Sequence, residues 1–310
     1  MRNGRRTVLV TGASRGLGLA IARALVGAGR YRVLLTARAG SLGRFDEAGI
    51  TSGDDVRVRP LDVTSSEERL AVVEEAATDW GGVDVLINNA GVSYRAVVEH
   101  ISDADRLAQF DVNYLGPMEL TRLVLPGMRE RRFGRIINIS SVGGMMAMPT
   151  MSAYSASKFA LEGASEALYY EVKPWGIAVT LVQPGFINSD GFEQVRYTGQ
   201  SQTARGIVRS PYHAHYAYMS GFIARMMLRV PATTESVARR VLSVIERRHP
   251  PLRVPATLDA WLFAFMRRLL PRSFYHWLLY RMLPGVRRWG PAAEGRLSSA
   301  PPPSTQKLSS

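Results

Sequence analysis

Tyr154 and Lys158 are the residues of this sequence whose types and spacing point most directly to chemistry. Residues four apart share one face of an α-helix, so the tyrosine hydroxyl and the lysine ammonium can converge. A nearby cation lowers the pKa of a tyrosine, which suits it to exchange a proton with a substrate oxygen. Ser141 lies thirteen residues before Tyr154 and could hydrogen-bond the same oxygen. Such a pair also occurs on ordinary amphipathic helices, so its meaning depends on the residues around it.

A glycine-rich segment follows the first apolar stretch of the chain. Residues 11–18 read TGASRGLG and precede an alanine-rich stretch that is typical of a helix. Gly12, Gly16 and Gly18 would let the backbone turn tightly and approach a pyrophosphate, which the N-terminus of the following helix attracts. A simple strand-to-helix turn also uses glycine. The position in the first strand–helix unit favours a dinucleotide site.

Two arginines stand where the ribose of such a dinucleotide would lie. The second predicted strand ends at Ala37-Arg38, without the acid that commonly binds the 2′-hydroxyl of NAD. Arg38 and Arg15 could clamp a 2′-phosphate instead, which favours NADP. The alternative is that both arginines are solvated surface residues.

Short apolar runs and helical patterns alternate over the first 185 residues. Strands are predicted at residues 7–10, 32–36, 56–61, 83–87, 135–139 and 177–182, and helices at 18–26, 67–78, 114–131 and 155–173. Fully apolar strands separated by helices indicate a parallel sheet covered on both faces. The expected fold is therefore α/β, a doubly wound parallel sheet, with ligands bound beyond the carboxyl ends of the strands.

The periodicity weakens between residues 186 and 231. We interpret this stretch as a substrate lid, a long loop with short helices. A helix at 234–248 and a short strand at 252–254 follow it. His213 and His215 lie in the lid without further ligands at metal-binding spacing, so no metal is expected.

Two segments near the C-terminus combine apolar and aromatic residues with arginine. Residues 258–270 read LDAWLFAFMRRLL and residues 274–283 read FYHWLLYRML, and Pro271 separates them. Both are too short to span a bilayer. They could lie on an anionic membrane surface, or they could pack over the cleft or against a partner subunit. Residues 290–310 are rich in Pro, Ser and Ala and are predicted to be disordered.

The composition limits the remaining function classes. The 310 residues include no cysteine, which excludes disulfides and thiolate chemistry. The net charge is +13, and residues 221–290 hold thirteen arginines against three acids. No nucleic-acid-binding motif accompanies this charge, so nucleic acid is not expected as a partner. Without a signal peptide or spanning helix, the expected location is cytoplasmic, with contact at a membrane surface left open.

Across roughly residues 5–255 the sequence resembles the short-chain dehydrogenase/reductase superfamily. The resemblance rests on the motifs Thr11-Gly12-x-x-x-Gly16-x-Gly18, Leu61-Asp62-Val63, Asn88-Asn89-Ala90-Gly91, Asn113, Ser141, Tyr154-x-x-x-Lys158 and Pro184-Gly185. It implies a Rossmann-type single domain at 1–255, including the lid at 186–231, with a helical C-terminal extension at 256–289 and a tail at 290–310. It also implies a homo-oligomer, a dimer or tetramer, paired through the helices at 114–131 and 155–173.

The resemblance also assigns roles to individual residues. Tyr154 would be the catalytic acid/base, Lys158 would lower its pKa and hold the nicotinamide ribose, Ser141 would orient the substrate oxygen, and Asn113 would support a proton relay. The implied NADP-binding residues are Gly12, Ser14, Arg15, Gly16, Leu17, Gly18, Arg38, Asp62, Val63, Asn89, Ala90, Gly91, Tyr154, Lys158, Pro184, Gly185 and Ile187. The family often has threonine two residues after this isoleucine, and here the position is Ser189.

Residues 141–146 and 157–163 are most similar to the branch that contains 17β-hydroxysteroid dehydrogenase type 1 and the retinol dehydrogenases. This similarity implies a lipophilic alcohol or carbonyl substrate, of steroid, retinoid, long-chain or ketoacyl type. The expected substrate-contacting residues are Ser141, Met145, Tyr154 and Gly185, although the methionines near Ser141 could equally be packing residues.

We therefore expect an NADP-dependent oxidoreductase that interconverts a carbonyl and an alcohol, in a direction that the sequence leaves open. The alternative from another class is a non-catalytic NADP-binding regulator or scaffold of the same fold.

Overall fold

Nine β-strands lie within the part of the chain that the structure, a computed structural model, describes, which is residues 4–188 and 195–290. They are β1 (Arg6–Val10), β2 (Tyr31–Ala37), β3 (Val56–Pro60), β4 (Val85–Asn88), β5 (Tyr94–Arg95), β6 (Gly134–Ile139), β7 (Ile177–Gln183), β8 (Arg196–Tyr197) and β9 (Arg253–Pro255).

The α-helices of the same residues lie between these strands or after the last of them. They are α1 (Gly16–Gly27), α2 (Gly43–Glu47), α3 (Ser66–Trp80), α4 (Asp103–Phe110), α5 (Gly116–Glu130), α6 (Ser152–Val172), α7 (Gly199–Gly206), α8 (His213–Arg229), α9 (Thr234–Glu246), α10 (Leu258–Leu269) and α11 (Arg272–Met282). None of the helices among these described residues is both long enough and apolar enough to cross a membrane.

Seven strands form one parallel sheet in the order β3-β2-β1-β4-β6-β7-β9. The chain reverses its direction of travel across the sheet between β1 and β4, and the carboxyl ends of these strands therefore flank a crevice. Helices α1 and α9 bury apolar side chains such as Ile21 and Val241 against one face. Helices α3, α5 and α6 cover the other face, with Val72, Leu120 and Leu168 in the core. The doubly wound single domain is confirmed.

The predicted strands and long helices agree with the structure to within a few residues. The signal is strong because each central strand is buried on both faces and consists largely of apolar residues. Residues 252–254, predicted as a strand, correspond to β9, which extends the sheet beside β7.

The lid differs from the prediction of a loop with short helices. Its second helix, α8, has 17 residues and buries Tyr216, Met219 and Ile223 on one face. Tyrosine, histidine and a glycine weaken the helical pattern there, and burial against the domain compensates for their poor propensity. The sequence patterns also did not predict the short polar helix α4 or the strand pair β5–β8. Ser189 and residues 291–310 of the predicted tail lie outside the described residues.

Candidate active site

A cleft of about 480 Å³ opens at the carboxyl ends of the strands. Its walls come from the loop between β1 and α1, the segments that follow β2, β4, β6 and β7, and the lid helix α8. The volume is in the range of small-molecule and cofactor sites. The cleft is therefore where the sheet topology places a ligand.

The glycine-rich loop is held in place from the neighbouring strand. The Nδ2 of Asn89 donates to the carbonyl oxygens of Thr11 and Gly12 at 3.0 and 2.9 Å, and the Thr11 hydroxyl accepts the N–H groups of Asn89 and Ala90 at 3.0 Å each. A Cβ at Gly18 would collide with the Gly12 carbonyl oxygen and the Asn89 amide. The glycine is thus required for the close approach of loop and helix.

Helix α1 begins at Gly16 without a side-chain cap and without an acid in its first turn. The backbone N–H groups of that turn are consequently available to an anion, and the helix dipole favours one. A cradle of this kind fits the pyrophosphate of a dinucleotide.

Arg15 and Arg38 line the same end of the cleft. Burial lowers the pKa of Arg15, and the positive charges of Arg44, Arg38 and Arg196 lower it further. Like charges held together in this way repel one another, and an anion between them would relieve the repulsion. The positive charge at the end of the cleft nearest β2 therefore favours a negatively charged group there.

Asp62 and Val63 form the floor beside these arginines. Burial alone would raise the pKa of Asp62, but hydrogen bonds from the Thr64 backbone and hydroxyl, with the charge of Arg38, hold this pKa below its usual value. The Asp62 Oδ1 accepts those two bonds at 3.0 and 2.7 Å. The carboxylate is therefore fixed in its ionised form.

Tyr154 and Ser141 meet at the other end of the cleft. Burial raises the pKa of Tyr154, and a hydrogen bond between its hydroxyl and that of Ser141 opposes the rise. Ser141 also accepts the Gly143 N–H at 3.0 Å. A Cβ at Gly143 would lie 3.0 Å from the tyrosine ring, so glycine lets the ring pack against this turn. The two hydroxyls can address one substrate oxygen.

Lys158 lies one turn beyond Tyr154 on α6, with its Nζ 6.0 Å from the tyrosine ring centroid. Its Nζ donates to the Ile139 carbonyl oxygen at 2.9 Å. Burial lowers the pKa of Lys158 to about 8, and the charge of Glu162 opposes this shift. The sequence led us to expect a lowered pKa for Tyr154. Here the pKa is raised instead, because burial outweighs the hydrogen bond with Ser141.

Asn113 is fully buried behind the cleft, in a π-helical stretch between α4 and α5. Its Nδ2 donates to the Val92 carbonyl oxygen at 2.9 Å and to the Ser157 hydroxyl at 3.0 Å. Its Oδ1 accepts the Val92 N–H at 2.9 Å. Asn113 therefore joins the segment after β4 to helix α6, next to Lys158 but not in the cleft wall. Irregular turns of this type are frequent at functional sites.

The cleft brings together nearly all the residues singled out in the sequence. Every predicted cofactor-binding residue lines it, as do Ser141, Tyr154 and Lys158. The Met145 side chain is placed differently. It packs with Val142, Met146 and Ala260, while Met148 and Met151 line the cleft instead. The choice among neighbouring methionines depends on how the turn after Ser141 coils, which periodicity does not reveal.

The cleft also contains residues that the sequence did not single out. Arg95, Phe186, Arg196, Ile223 and Met227 line it, mostly from the lid and the β5–β8 pair. The only signal in the sequence for such roles is the weak periodicity of residues 186–231, which we interpreted as a substrate lid. Among the residues whose positions the structure describes, no group of three or more histidines and acids could hold a metal ion.

Comparison with known proteins identifies the family. The short chain dehydrogenase family pattern matches residues 6–199. The 3-ketodihydrosphingosine reductase of Bacteroides thetaiotaomicron is 36% identical over 278 residues, which cover 88% of this chain and 96% of that protein. Human retinol dehydrogenase 8 is 35% identical over 257 residues, 80% of each protein.

A solved structure of an actinorhodin polyketide ketoreductase variant with NADPH superimposes with a TM-score of 0.64. It is 31% identical and covers 81% of this chain and 96% of that one. The family pattern spans well over half of the chain, and it includes the glycine loop and the Tyr154–Lys158 helix. This chain belongs to the short-chain dehydrogenase/reductase family of oxidoreductases.

Proposed function

We propose that this protein is an NADP(H)-dependent oxidoreductase that interconverts a carbonyl and an alcohol on a lipophilic substrate. One observation carries the proposal. A single cleft holds the hydroxyls of Ser141 and Tyr154 with Lys158 at one end, and the arginines 15 and 38 with the glycine loop at the other. A proton-exchanging group and an anion cradle thus face the same space.

NADPH would supply a hydride to the carbonyl carbon, or NADP⁺ would remove one from the alcohol. Tyr154 would donate a proton to the substrate oxygen in the reduction, and its tyrosinate would accept that proton in the oxidation, while Ser141 would orient the oxygen by a hydrogen bond. The Lys158 ammonium would stabilise the tyrosinate that remains after proton donation. Asn113 would hold the Val92 segment and helix α6 in a fixed position relative to each other.

The cofactor preference follows from charge. Arg15 and Arg38 would bind the 2′-phosphate of NADP, and the N–H groups at the start of α1 would bind the pyrophosphate. Strand β2 ends at Ala37 and is followed by Arg38, without the acid that binds the ribose 2′-hydroxyl in an NAD site. The NADPH in the related ketoreductase structure supports the same preference.

A lipophilic substrate is supported by the wall of the cleft beyond Ser141. Met148, Met151, Ile223 and Met227 line it, and methionines adapt to apolar ligands of irregular shape. The names of the related sphingoid and retinol enzymes point to the same class. A non-catalytic regulator would not need the Ser141–Tyr154–Lys158 arrangement.

We also propose that helices α10 and α11 contact an anionic membrane surface. Trp261 and Phe265 are 55% and 47% exposed and stack with ring centroids 5.3 Å apart, and Trp277 of α11 is 52% exposed. Arginines 268, 272 and 281 accompany this apolar face. Exposed aromatics beside arginine are typical of helices that lie at an anionic lipid surface, where each basic residue contributes about 1 kcal/mol.

Self-association into a dimer or tetramer is a further part of the proposal. Leu115, before α5, and Phe159 and Tyr170 on α6 are exposed apolar side chains on the helices named for pairing. Light scattering coupled to size-exclusion chromatography would measure the mass. A monomer at micromolar concentration would contradict this part alone.

Absorbance of the reduced nicotinamide provides the main test. The purified protein would be mixed with NADPH or NADH and with retinal, 3-ketosphingoid bases, steroid ketones and long-chain aldehydes. Faster oxidation of NADPH than of NADH with one lipophilic class is expected. The protein could instead bind NADPH tightly and show no turnover, neither with these carbonyls nor with the matching alcohols and NADP⁺, even when vesicles are present. That result would favour the non-catalytic regulator.

A further inference from the structure

The C-terminal extension reaches back to the loop that follows β7. The Thr257 hydroxyl accepts the Gly185 N–H at 2.9 Å, and the Asp259 Oδ2 accepts the Phe186 N–H at 2.8 Å. Both acceptors belong to the start of α10, where Thr257 is also the N-cap. Gly185 and Phe186 line the cleft, whereas no described residue of α10 does. The helix therefore acts on the cleft through this loop.

Gly185 and Asp259 fit each other sterically. A Cβ built on Gly185 would collide with all three atoms of the Asp259 carboxyl group. The backbone of Gly185 does not have a positive φ, so conformational freedom does not explain the glycine. The carboxylate occupies the volume that any side chain at position 185 would need, and it lies in direct contact with this peptide.

The other end of α10 contacts the turn that follows Ser141. Arg267 donates there to the carbonyl oxygen of Met145, while Ala260, in the first turn of the helix, packs in one cluster with Val142 and Met145. In addition, the Val142 N–H donates to the Pro184 carbonyl oxygen at 2.7 Å. One helix thus braces both segments that line the reactive end of the cleft, and those two segments are bonded to each other.

We infer that Asp259 is a positioning residue for the reaction, which fixes the Gly185–Phe186 peptide relative to Ser141 through the first turn of α10. The inference rests on the proposed function, because the role matters only where the Gly185 loop borders the reacting groups. Misplacement of such groups by about 1 Å costs up to roughly a hundredfold in rate. Without the carboxylate the Phe186 N–H would lose its acceptor, and the Thr257 hydroxyl alone would hold the loop to α10.

The first experiment compares Asp259→Ala, Asp259→Asn and Glu67→Ala with the native protein. Glu67 is an exposed acid in the first turn of α3, so it controls for the loss of a charge at a helix N-terminus. We expect kcat to fall at least tenfold in Asp259→Ala, with KM changed less than threefold. Asp259→Asn keeps a carbonyl acceptor for the Phe186 N–H and should recover most of the rate. A kcat for Asp259→Ala within twofold of native would overturn the inference.

The second experiment uses the steric match and needs no turnover. Gly185→Ala should lower the melting temperature of the protein and weaken NADPH binding, measured by fluorescence energy transfer from tryptophan. The double variant Gly185→Ala/Asp259→Ala should recover part of both losses, because the colliding carboxylate is gone. Strictly additive losses would refute the contact. If the native protein reduces no carbonyl, this second result still stands, so failure of the proposed function is distinguishable.

Discussion

Lys158 and Glu162 lie one helical turn apart on the buried face of α6, and the negative charge of Glu162 opposes the fall in the pKa of Lys158 that burial causes. Glu162 is itself 6% exposed and accepts hydrogen bonds at 2.7 Å from Ser140 and Gln183. The acid therefore does not move freely. It links the protonation of Lys158 to the ends of β6 and β7.

The pH dependence of turnover should report on this pair. Burial lowers the pKa of Lys158 from 10.5 to about 8, so the ammonium is charged below pH 8 and neutral above it. Glu162→Gln removes the opposing charge, the pKa of Lys158 falls further, and the alkaline limb of kcat/KM should move to lower pH. Glu171→Gln, near the end of the same helix and exposed, is the control. An alkaline limb that stays in place in Glu162→Gln would contradict the coupling.

Replacement of Tyr154 by phenylalanine should lower kcat about a hundredfold or more, since a positioned general acid contributes roughly 10²–10⁴. The ring packs against Gly143 and keeps that contact, so binding of NADPH should change less than threefold. Stopped-flow absorbance and fluorescence titration measure the two quantities. Ser141→Ala should lower kcat less. Native-like turnover in the phenylalanine variant would remove the catalytic role of Tyr154.

Arg38→Ala should weaken NADPH binding by about tenfold and leave NADH binding nearly unchanged, because a 2′-phosphate contact is charge-assisted. Higher salt should reduce the difference in affinity of the native protein for NADPH and NADH, because salt screens charge interactions. Arg23→Ala, exposed on α1, serves as the control for a change in net charge. Equal losses for NADPH and NADH would argue against a phosphate site at Arg38.

The double change Trp261→Ser and Phe265→Ser should reduce sedimentation with vesicles of phosphatidylserine and phosphatidylcholine about tenfold or more. Both rings are exposed in the protein, so its melting temperature should hardly change. Vesicles of phosphatidylcholine alone control for the contribution of charge. If native protein fails to bind anionic vesicles, the membrane proposal is wrong while the assignment of the cleft is unaffected.

The sequence was sufficient for the sheet and for most of the cleft. Strands such as β4 and β6 are buried on both faces, so their composition alone reveals them. The glycine loop, Asp62 and the Tyr154 helix are local motifs whose positions follow from the strand ends. Their prediction requires no information about contacts between distant parts of the chain.

The rest depended on contacts between distant parts of the chain. Asp259 and Thr257 meet Gly185 across more than seventy residues, and nothing in their local sequence marks the meeting. The pKa of Tyr154 could not be predicted because it depends on how deeply the ring is buried. Arg196 lines the cleft because the two-residue strand β8 pairs with β5, a pairing too short to give a periodic signal.

Helix α10 presents Asp259 to the cleft loop and Trp261 to the outside from positions two residues apart. Each residue of an α-helix turns by about 100°. Deletion of a single residue between β9 and α10 would therefore rotate the aromatic face inward and swing the carboxylate away from Phe186. We therefore expect the length of this two-residue joint, Ala256 and Thr257, to be as constrained as the identity of Thr257, whose hydroxyl binds the same loop.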